Sequence, residues 1–283
     1  MSVIPKHGFK ASEIIKEGRT TQSNVDDIKK WASFEKSAPE MSEEQICLFL
    51  LACNNDLDLT KYTIESFFKQ KCSSPELFMN RDIDNKENKF THQVSLLAVF
   101  PKRTEENYVI ALGCLKDTTY YNFCIESQIK AAFTLISAYL YENPPDGLIF
   151  IIDIKGVGIM HLTRLKLGPL KKFFAYLQEA LPTQLRRVHV LNATYIFEKI
   201  LAIAKPFMKK ELFELIITHP PETSMQDFFE NHIPAACMPS NFGGELKSLE
   251  EISEDTKEYI RGVKGFLEDE EQQIQFFKNE KKL

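Results

Sequence analysis

An α/β fold, with a mostly parallel sheet and helical crossovers and a small all-α unit before it, is predicted by three features of the sequence. Two near-continuous apolar runs, Leu148-Ile149-Phe150-Ile151-Ile152-Asp153-Ile154 and Val188-His189-Val190-Leu191-Asn192, read as strands buried on both faces. Helical patterns precede and separate them, giving β-α-β-α-β order. The N-terminal region, by contrast, shows only the period of helices.

In chain order, Val25, Ile28, Trp31 and Ala32 recur at helical spacing, and Ile46 to Cys53 forms a second, more apolar helix. Asp58 or Thr60 caps a third helix carrying Tyr62, Ile64, Phe67 and Phe68, which stops before Ser73-Ser74-Pro75. The polar stretch Arg81 to Lys89 reads as a linker or exposed loop. Val94 to Phe100 and Tyr108 to Gly113 are strand-like runs around a charged loop with Pro101, hence a hairpin. A long helix from about Tyr121 to Tyr141 ends at Asn143-Pro144-Pro145-Asp146-Gly147. Another helix, Leu170 to Leu181, stops at Pro182, and Leu212 to Thr218 reads as the last strand. From Ser248 the chain is a charged helical tail with Ile252, Tyr259, Ile260, Val263 and Phe266 at helical spacing, and its acids Glu268-Asp269-Glu270-Glu271 read as a solvated face or a frayed terminus. These readings divide the chain into residues 1–90, 91–247 and 248–283.

Composition narrows the function. Of 283 residues 43% are hydrophobic and 22 are Phe, enough for a large core. Lys and Arg number 35 against 40 Asp and Glu, an acidic excess that argues against nucleic acid, whose binding draws on neutralised phosphates. The N-terminal segment lacks the apolar stretch of a secretory signal, and the six cysteines show no C-x-x-C pair, so a cytoplasmic protein with reduced thiols is expected.

The signals of catalysis are sparse. There is no G-x-S-x-G elbow, Walker loop or H-E-x-x-H, and Gly156-Val157-Gly158 lacks the third glycine of a dinucleotide fingerprint, so it reads as a turn with φ > 0. The six histidines lack the i, i+4 spacing that aims two imidazoles at one metal; no metal or cofactor is expected, and His189 reads as a hydrogen-bonded structural histidine. Asp153 ends an apolar run without a nucleophile or second acid nearby, so it reads as an acid capping a turn or pairing with a lysine. No catalytic residue is assigned; an enzyme using Asp153 as base would need turnover that Asp153→Asn abolishes. What stands out is apolar excess on the helix Tyr121 to Tyr141 and on Tyr195 to Ala204, which suits either a core helix or the wall of an apolar cavity.

Several phrases, taken in order, resemble the CRAL-TRIO lipid-binding family: Phe49-Leu50-Leu51-Ala52 with Asp56-Leu57-Asp58-Leu59, Ile152-Asp153-Ile154-Lys155-Gly156, Leu181-Pro182 before Val188-His189-Val190-Leu191-Asn192, Lys205-Pro206-Phe207, and Pro239-Ser240-Asn241-Phe242-Gly243-Gly244. The resemblance covers about residues 25 to 250. It implies a sheet that floors an apolar lipid pocket, closed by a mobile helix that maps to Ile196 to Ala204. On that basis Phe133, Ser137, Ile152, Ile154, Ile196, Phe197, Ile200 and Leu201 are assigned to the pocket walls, with Ser137 or Asp153 as polar handles. Lys205, Phe207, Lys209 and Lys210 are assigned to membrane contact, where each basic charge adds about 1 kcal/mol near an anionic surface. Lys171, Lys172, Arg186 and Arg187 could add to the same effect.

The implied function is a non-enzymatic, monomeric carrier of a tocopherol, a retinoid or another isoprenoid-like lipid, transiently at membranes. A module that senses or exchanges phospholipid through a protein partner is the alternative. In members that carry phosphatidylinositol, a Glu after the Leu-Pro-like turn and a Lys on the last strand hold the headgroup; Thr183 and Leu215 match them here. Positions that grip phosphoinositides in other members match Leu51, Cys53, Glu211, Phe213 and Leu215, so weak or no specific phosphoinositide binding is expected.

Overall fold

A computed structural model describes residues 3–35 and 38–281. Six helices precede the sheet: α1 (Ala11–Lys16), α2 (Gln22–Glu35), α3 (Glu43–Ala52), α4 (Leu57–Ser73), α5 (Pro75–Phe78) and α6 (Lys86–Val94). Local chemistry fixes the starts of three of them. Ser42 and Gln45 form a reciprocal capping box at α3. Asp56, not Asp58 or Thr60, caps α4, because its carboxylate accepts the amides of Asp58 and Leu59 and Leu57 is already helical. The expected linker at residues 81–89 is instead ordered structure: Arg81 is buried, and Asn85 caps α6 by accepting the Asn88 amide.

The strands β1 (Ser95–Val99), β2 (Tyr108–Leu115), β3 (Gly147–Asp153), β4 (Leu185–Leu191) and β5 (Ile216–His219) lie side by side in sequence order. β1 and β2 form the expected antiparallel hairpin, and the remaining pairs are parallel. The crossovers are α7 (Ile125–Tyr139), then α8 (Leu167–Glu179), then α9 (Tyr195–Ala204) with α10 (Lys210–Glu214). This is the α/β class that the sequence predicts. The run Leu212 to Thr218 is split, however, between α10 and β5. Leu212, Leu215 and Ile216 sit at i, i+3 and i+4, a spacing that suits a helical turn, and only the end of the run is strand.

Strand alternation sorts the two cores. Leu97, Val99, Val109, Ala111 and Leu148 face a core built with α3, α4, α7 and α8. Leu96, Ala98, Ile110, Leu112, Ile149, Ile151 and Leu191 face a second core with Phe228, Ile233, Met238 and Ile252. Three further helices, α11 (Met225–Asn231), α12 (Leu249–Gly262) and α13 (Lys264–Lys281), follow. α12 satisfies the edge strand β1: Ser253 Oγ donates to the Leu97 carbonyl at 2.9 Å, and the Val99 amide donates to Thr256 Oγ1 at 3.1 Å.

The reading of Glu268 to Glu271 as a solvated face is corrected at two of the four positions. Glu270 pairs with Arg81 at 2.8 Å and Lys71 at 3.6 Å, and Glu271 reaches Arg81 Nε at 3.1 Å. Both cations are buried, so α13 is ionically tied to α4 and to the turn before α6. Among the described residues no helix is long and apolar enough to cross a membrane.

Candidate functional site: an apolar cavity between the sheet and α8–α9

The parity that divides the cores also builds a cavity of about 190 Å³. Its floor is Phe150 and Ile152 of β3, Val188 and Val190 of β4, and Ile216 of β5. Its roof is Phe173, Phe174 and Leu177 of α8 with Phe197, Ile200, Leu201 and Ala204 of α9, and Ala132 and Ile136 of α7 close one side. Met208 and Leu212 complete the far end, and every lining side chain is apolar.

On α9 the residues at 197, 200, 201 and 204 form an i, i+3, i+4, i+7 stripe, the spacing of one helical face. Thr194 starts the helix by accepting the Ile196 amide. Gly156, at φ 83°, turns the chain after β3, and Asn192, at φ 54°, does the same after β4.

Four of the residues assigned to the pocket from sequence line this cavity: Ile152, Phe197, Ile200 and Leu201. The other five do not. Phe133 is rotated by one residue from Ala132, so it points into the helical core, stacked on Phe78 at 4.9 Å between ring centroids and beside Tyr176. Ser137, one position past Ile136, borders a separate void of about 20 Å³ with His7 and Glu270, room for one water. Ile196 is buried but lies off the α9 stripe, and Ile154 is buried beyond the end of β3. Asp153 does not line the cavity; its Oδ1 accepts the Lys155 amide at 2.9 Å and Asn192 Nδ2 at 2.7 Å, clamping the ends of β3 and β4. Of the two roles read from the sequence, a turn cap or a lysine pair, the contact with the Lys155 amide is the turn cap.

Sequence reasoning missed Phe150, Val188 and Val190 on the floor and Phe173, Phe174 and Leu177 on the roof. The signal for the floor was present in the period of two, since once Ile152 is placed inside, Phe150 must share its face.

An open groove of about 620 Å³ adjoins the cavity and shares Leu177, Leu185 and Leu212 with it. Thr183 and Leu215 both line this groove, as do Glu179 and Glu211. Thr183 Oγ1 is buried without a hydrogen-bond partner among the described residues.

The charges assigned to membrane contact are mostly spoken for. Lys209 Nζ lies 2.8 Å from Glu179 and Lys210 Nζ 3.5 Å from Glu214, which neutralises the segment. Lys205 is exposed beside the Phe213 ring, and the half-buried Phe207 gives its carbonyl to Gln178 Nε2 at 3.1 Å. A different surface is apolar. Tyr121, Ile159, Met160, Leu167 and Tyr195 are each about half exposed or more. They follow the carboxyl ends of β2, β3 and β4, which share one edge because the strands are parallel. Arg164 joins this rim by donating to the carbonyl of Phe123 at 3.1 Å.

Comparison with known proteins agrees with this geometry. The CRAL/TRIO domain family profile matches residues 93–244, more than half of the chain, and a Pinta-like UBA domain profile matches residues 17–88. The chain is similar to alpha-tocopherol transfer protein-like of Homo sapiens, with 23% identity over 238 residues covering 82% of this chain. It is also similar to the Mus musculus protein of that name, with 24% identity over 217 residues covering 72% of this chain. These matches span 66% and 59% of the relatives' own lengths, under two thirds in both. Among solved structures, Sfh5 shares the fold with a TM-score of 0.52 at 11% identity, over 86% of this chain and 90% of the Sfh5 chain.

Proposed function

The chain belongs to the CRAL/TRIO domain family, and from that premise we propose that it is a non-catalytic carrier of a small hydrophobic lipid, held in the unit at residues 91–247. The observation that carries this reading is the wholly apolar cavity roofed by α9. Removing an apolar molecule from water yields about 25 cal/mol per Å² buried, which is the free energy such a site supplies. With no polar group on its wall, the cavity favours a neutral isoprenoid-like molecule, such as a tocopherol or retinoid, over a charged headgroup.

At about 190 Å³ the cavity is smaller than the roughly 300–1,000 Å³ typical of small-molecule sites, so loading a whole lipid requires the roof to move outward. α9 is the element suited to that motion. Its inner face carries four cavity-lining side chains, and its outer face, with Tyr195, Glu198 and Lys199, is exposed. A hinge at Lys205-Pro206-Phe207, where α9 gives way to a short 3-10 turn, would let it swing.

The alternative, a phospholipid-sensing or exchange module, finds one favourable feature in the groove beside Thr183. Lys209 and Glu179 on its lining neutralise each other, and the carboxylate of Glu211 opposes a phosphate. A phosphoinositide headgroup is therefore disfavoured, and this reading ranks second.

The first experiment is extraction and mass spectrometry of lipid copurifying with the protein, followed by competition with tocopherol, retinal and phosphatidylinositol. A stoichiometric neutral isoprenoid-like lipid supports the carrier. Phosphatidylinositol at the same occupancy moves the reading to phospholipid exchange, and failure of all three to bind rejects both.

Membrane exchange is expected to use the rim of Tyr121, Ile159, Met160, Leu167 and Tyr195. Replacing Ile159, Met160 and Leu167 by Asp should slow lipid transfer to anionic vesicles by about tenfold, since three apolar contacts are lost and like charge is added. Equilibrium binding in solution should stay unchanged. Charge reversal at Lys209 and Lys210 is the comparison; a larger loss there than at the rim returns the contact to the segment after α9.

A further inference from the structure

Three histidines that look scattered in the sequence meet on the sheet face opposite the cavity. His189 of β4 and His219 at the end of β5 are buried, with His189 Nδ1 3.0 Å from His219 Nε2. The His232 ring, just past α11, has its centroid 5.1 Å from that of His189 and 4.9 Å from that of His219, and Phe228 packs edge-on against the buried pair. Across a contact of two ring nitrogens, one imidazole donates and the other accepts. A proton on the accepting nitrogen of this contact would set two N–H groups against each other.

The surroundings do not relieve that conflict. Arg187 of β4 adds positive charge felt by His189 and His232. β3 places the uncharged Ile149 and Ile151 on this face, with Ile151 in register with His189; Asp153, of the same parity at the strand end, pairs in register with Leu191 and is engaged by the Lys155 amide and Asn192. The carboxylates on α11, Asp227 and Glu230, belong to exposed residues, and Glu230 is engaged by Gln226 at 2.7 Å.

The pair also sits on the shortest seam of the sheet. β5 is four residues long and pairs only with β4, from Val188↔Ile216 to Leu191↔His219. The same two strands present Val188, Val190 and Ile216 to the cavity on the other face. We propose that His189, His219 and His232 form an acid-sensitive latch on the cavity floor: neutral, the cluster holds β5 to β4; protonated, it releases β5 and opens the cavity beside Ile216.

The direction of the effect follows from linkage. Burial, reinforced by the neighbouring histidines, lowers His189 to about 3 and His219 to about 4, against 6.5 for a free imidazole. The latched form therefore binds fewer protons than the released form below about pH 6.5. The latch is fully held above that pH and weakens as pH falls toward 4. Between pH 8 and 5 the opening equilibrium should shift by about 30-fold for one freed histidine and by up to about 10³-fold for two. The consequence for ligand retention rests on the carrier reading; the latch itself does not.

Hydrogen exchange of the β5 amides in the lipid-free full chain tests this, corrected for intrinsic pH dependence and referenced to β2. The wild type should lose at least about 30-fold of β5 protection between pH 8 and 5 while β2 stays protected. The double variant His189→Gln/His219→Gln, which keeps hydrogen-bonding groups that do not titrate, should show a flat response. If that pair does not fold, His219→Gln alone should reduce the shift. Unchanged wild-type protection, or equal acid loss in the glutamine variants, overturns the latch. A second arm follows retention of Nile red, which the wild type should release at pH 5 and the variant should keep. Failure of Nile red to bind while β5 still loosens counts against the carrier reading and leaves the latch standing.

Discussion

Glu270→Ala should lower the unfolding free energy by about 3–5 kcal/mol, because it leaves two buried cations without their shared carboxylate. The side chains of Lys71 and Arg81 are each 1% exposed, and Glu270 contacts both. Arg81 is held further by Glu271 and by the Leu267 carbonyl at 2.6 Å, so it cannot leave for solvent without unseating α13. For a chain of this size the loss corresponds to roughly a 10 °C fall in Tm. Replacing Glu270 by Gln, which keeps the shape and removes the charge, should cost nearly as much. A loss below about 1 kcal/mol in both variants, measured by denaturant unfolding, would show that the cations re-solvate and that the network is peripheral to stability.

The same carboxylate sets a pH window. Burial acts to raise its pKa, but Lys71 and Arg81 outweigh burial and hold Glu270 down to about 2, against an ordinary 4.5. Its folded-state pKa is depressed, so its contribution is complete above about pH 4.5 and is lost as pH falls toward 2. By linkage that contribution is roughly 3 kcal/mol, in line with the mutational expectation. The histidine latch acts in a higher window, between about pH 6.5 and 4. Acid should therefore loosen β5 first and release α13 afterwards, and Glu270→Gln should remove only the second step.

How much of this was legible in the sequence depends on distance along the chain. The runs at β3 and β4 and the helix over α9 were readable because their patterns are local: apolar continuity marks a doubly covered strand, and Pro and Gly mark its limits. Which parity faces the cavity came only from the resemblance, through Ile152, because a run such as Leu148 to Ile152 is apolar on both faces and both faces are buried. The same ambiguity put Phe133 on the cavity wall in place of Ala132, since α7 is apolar over more than half its circumference. Non-local electrostatics were invisible altogether. Glu270 read as solvated because its partners Lys71 and Arg81 lie about 190 residues away. Lys209 was assigned to membrane contact because Glu179 approaches it from another helix, and His189 read as a hydrogen-bonded structural histidine whose partners could not be named, because His219 and His232 come from later elements.

Filling the cavity from its floor is expected to abolish lipid capacity while sparing the fold. Val190 lies on β4 with its side chain in the cavity, and Ala132 borders it from α7. In Val190→Phe the ring has space to enter, so the overpacking cost of about 1–3 kcal/mol that a full core would impose should be largely avoided. A ligand that then loses room for three methylenes forfeits about 2.4 kcal/mol, close to 60-fold in affinity. Ala132→Phe should act in the same sense from the adjacent wall, and the two together should leave no room for an isoprenoid chain. Phe133→Trp is the matched control. It enlarges a ring already stacked on Phe78 and beside Tyr176, so it should cost about 1–3 kcal/mol of stability and leave affinity unchanged. The two readouts separate the faces of α7: titration with a fluorescent retinoid reports capacity, and denaturant unfolding reports the core. If Phe133→Trp cuts binding while Val190→Phe and Ala132→Phe do not, the ligand occupies the helical core side, and the cavity beneath α9 is a packing defect.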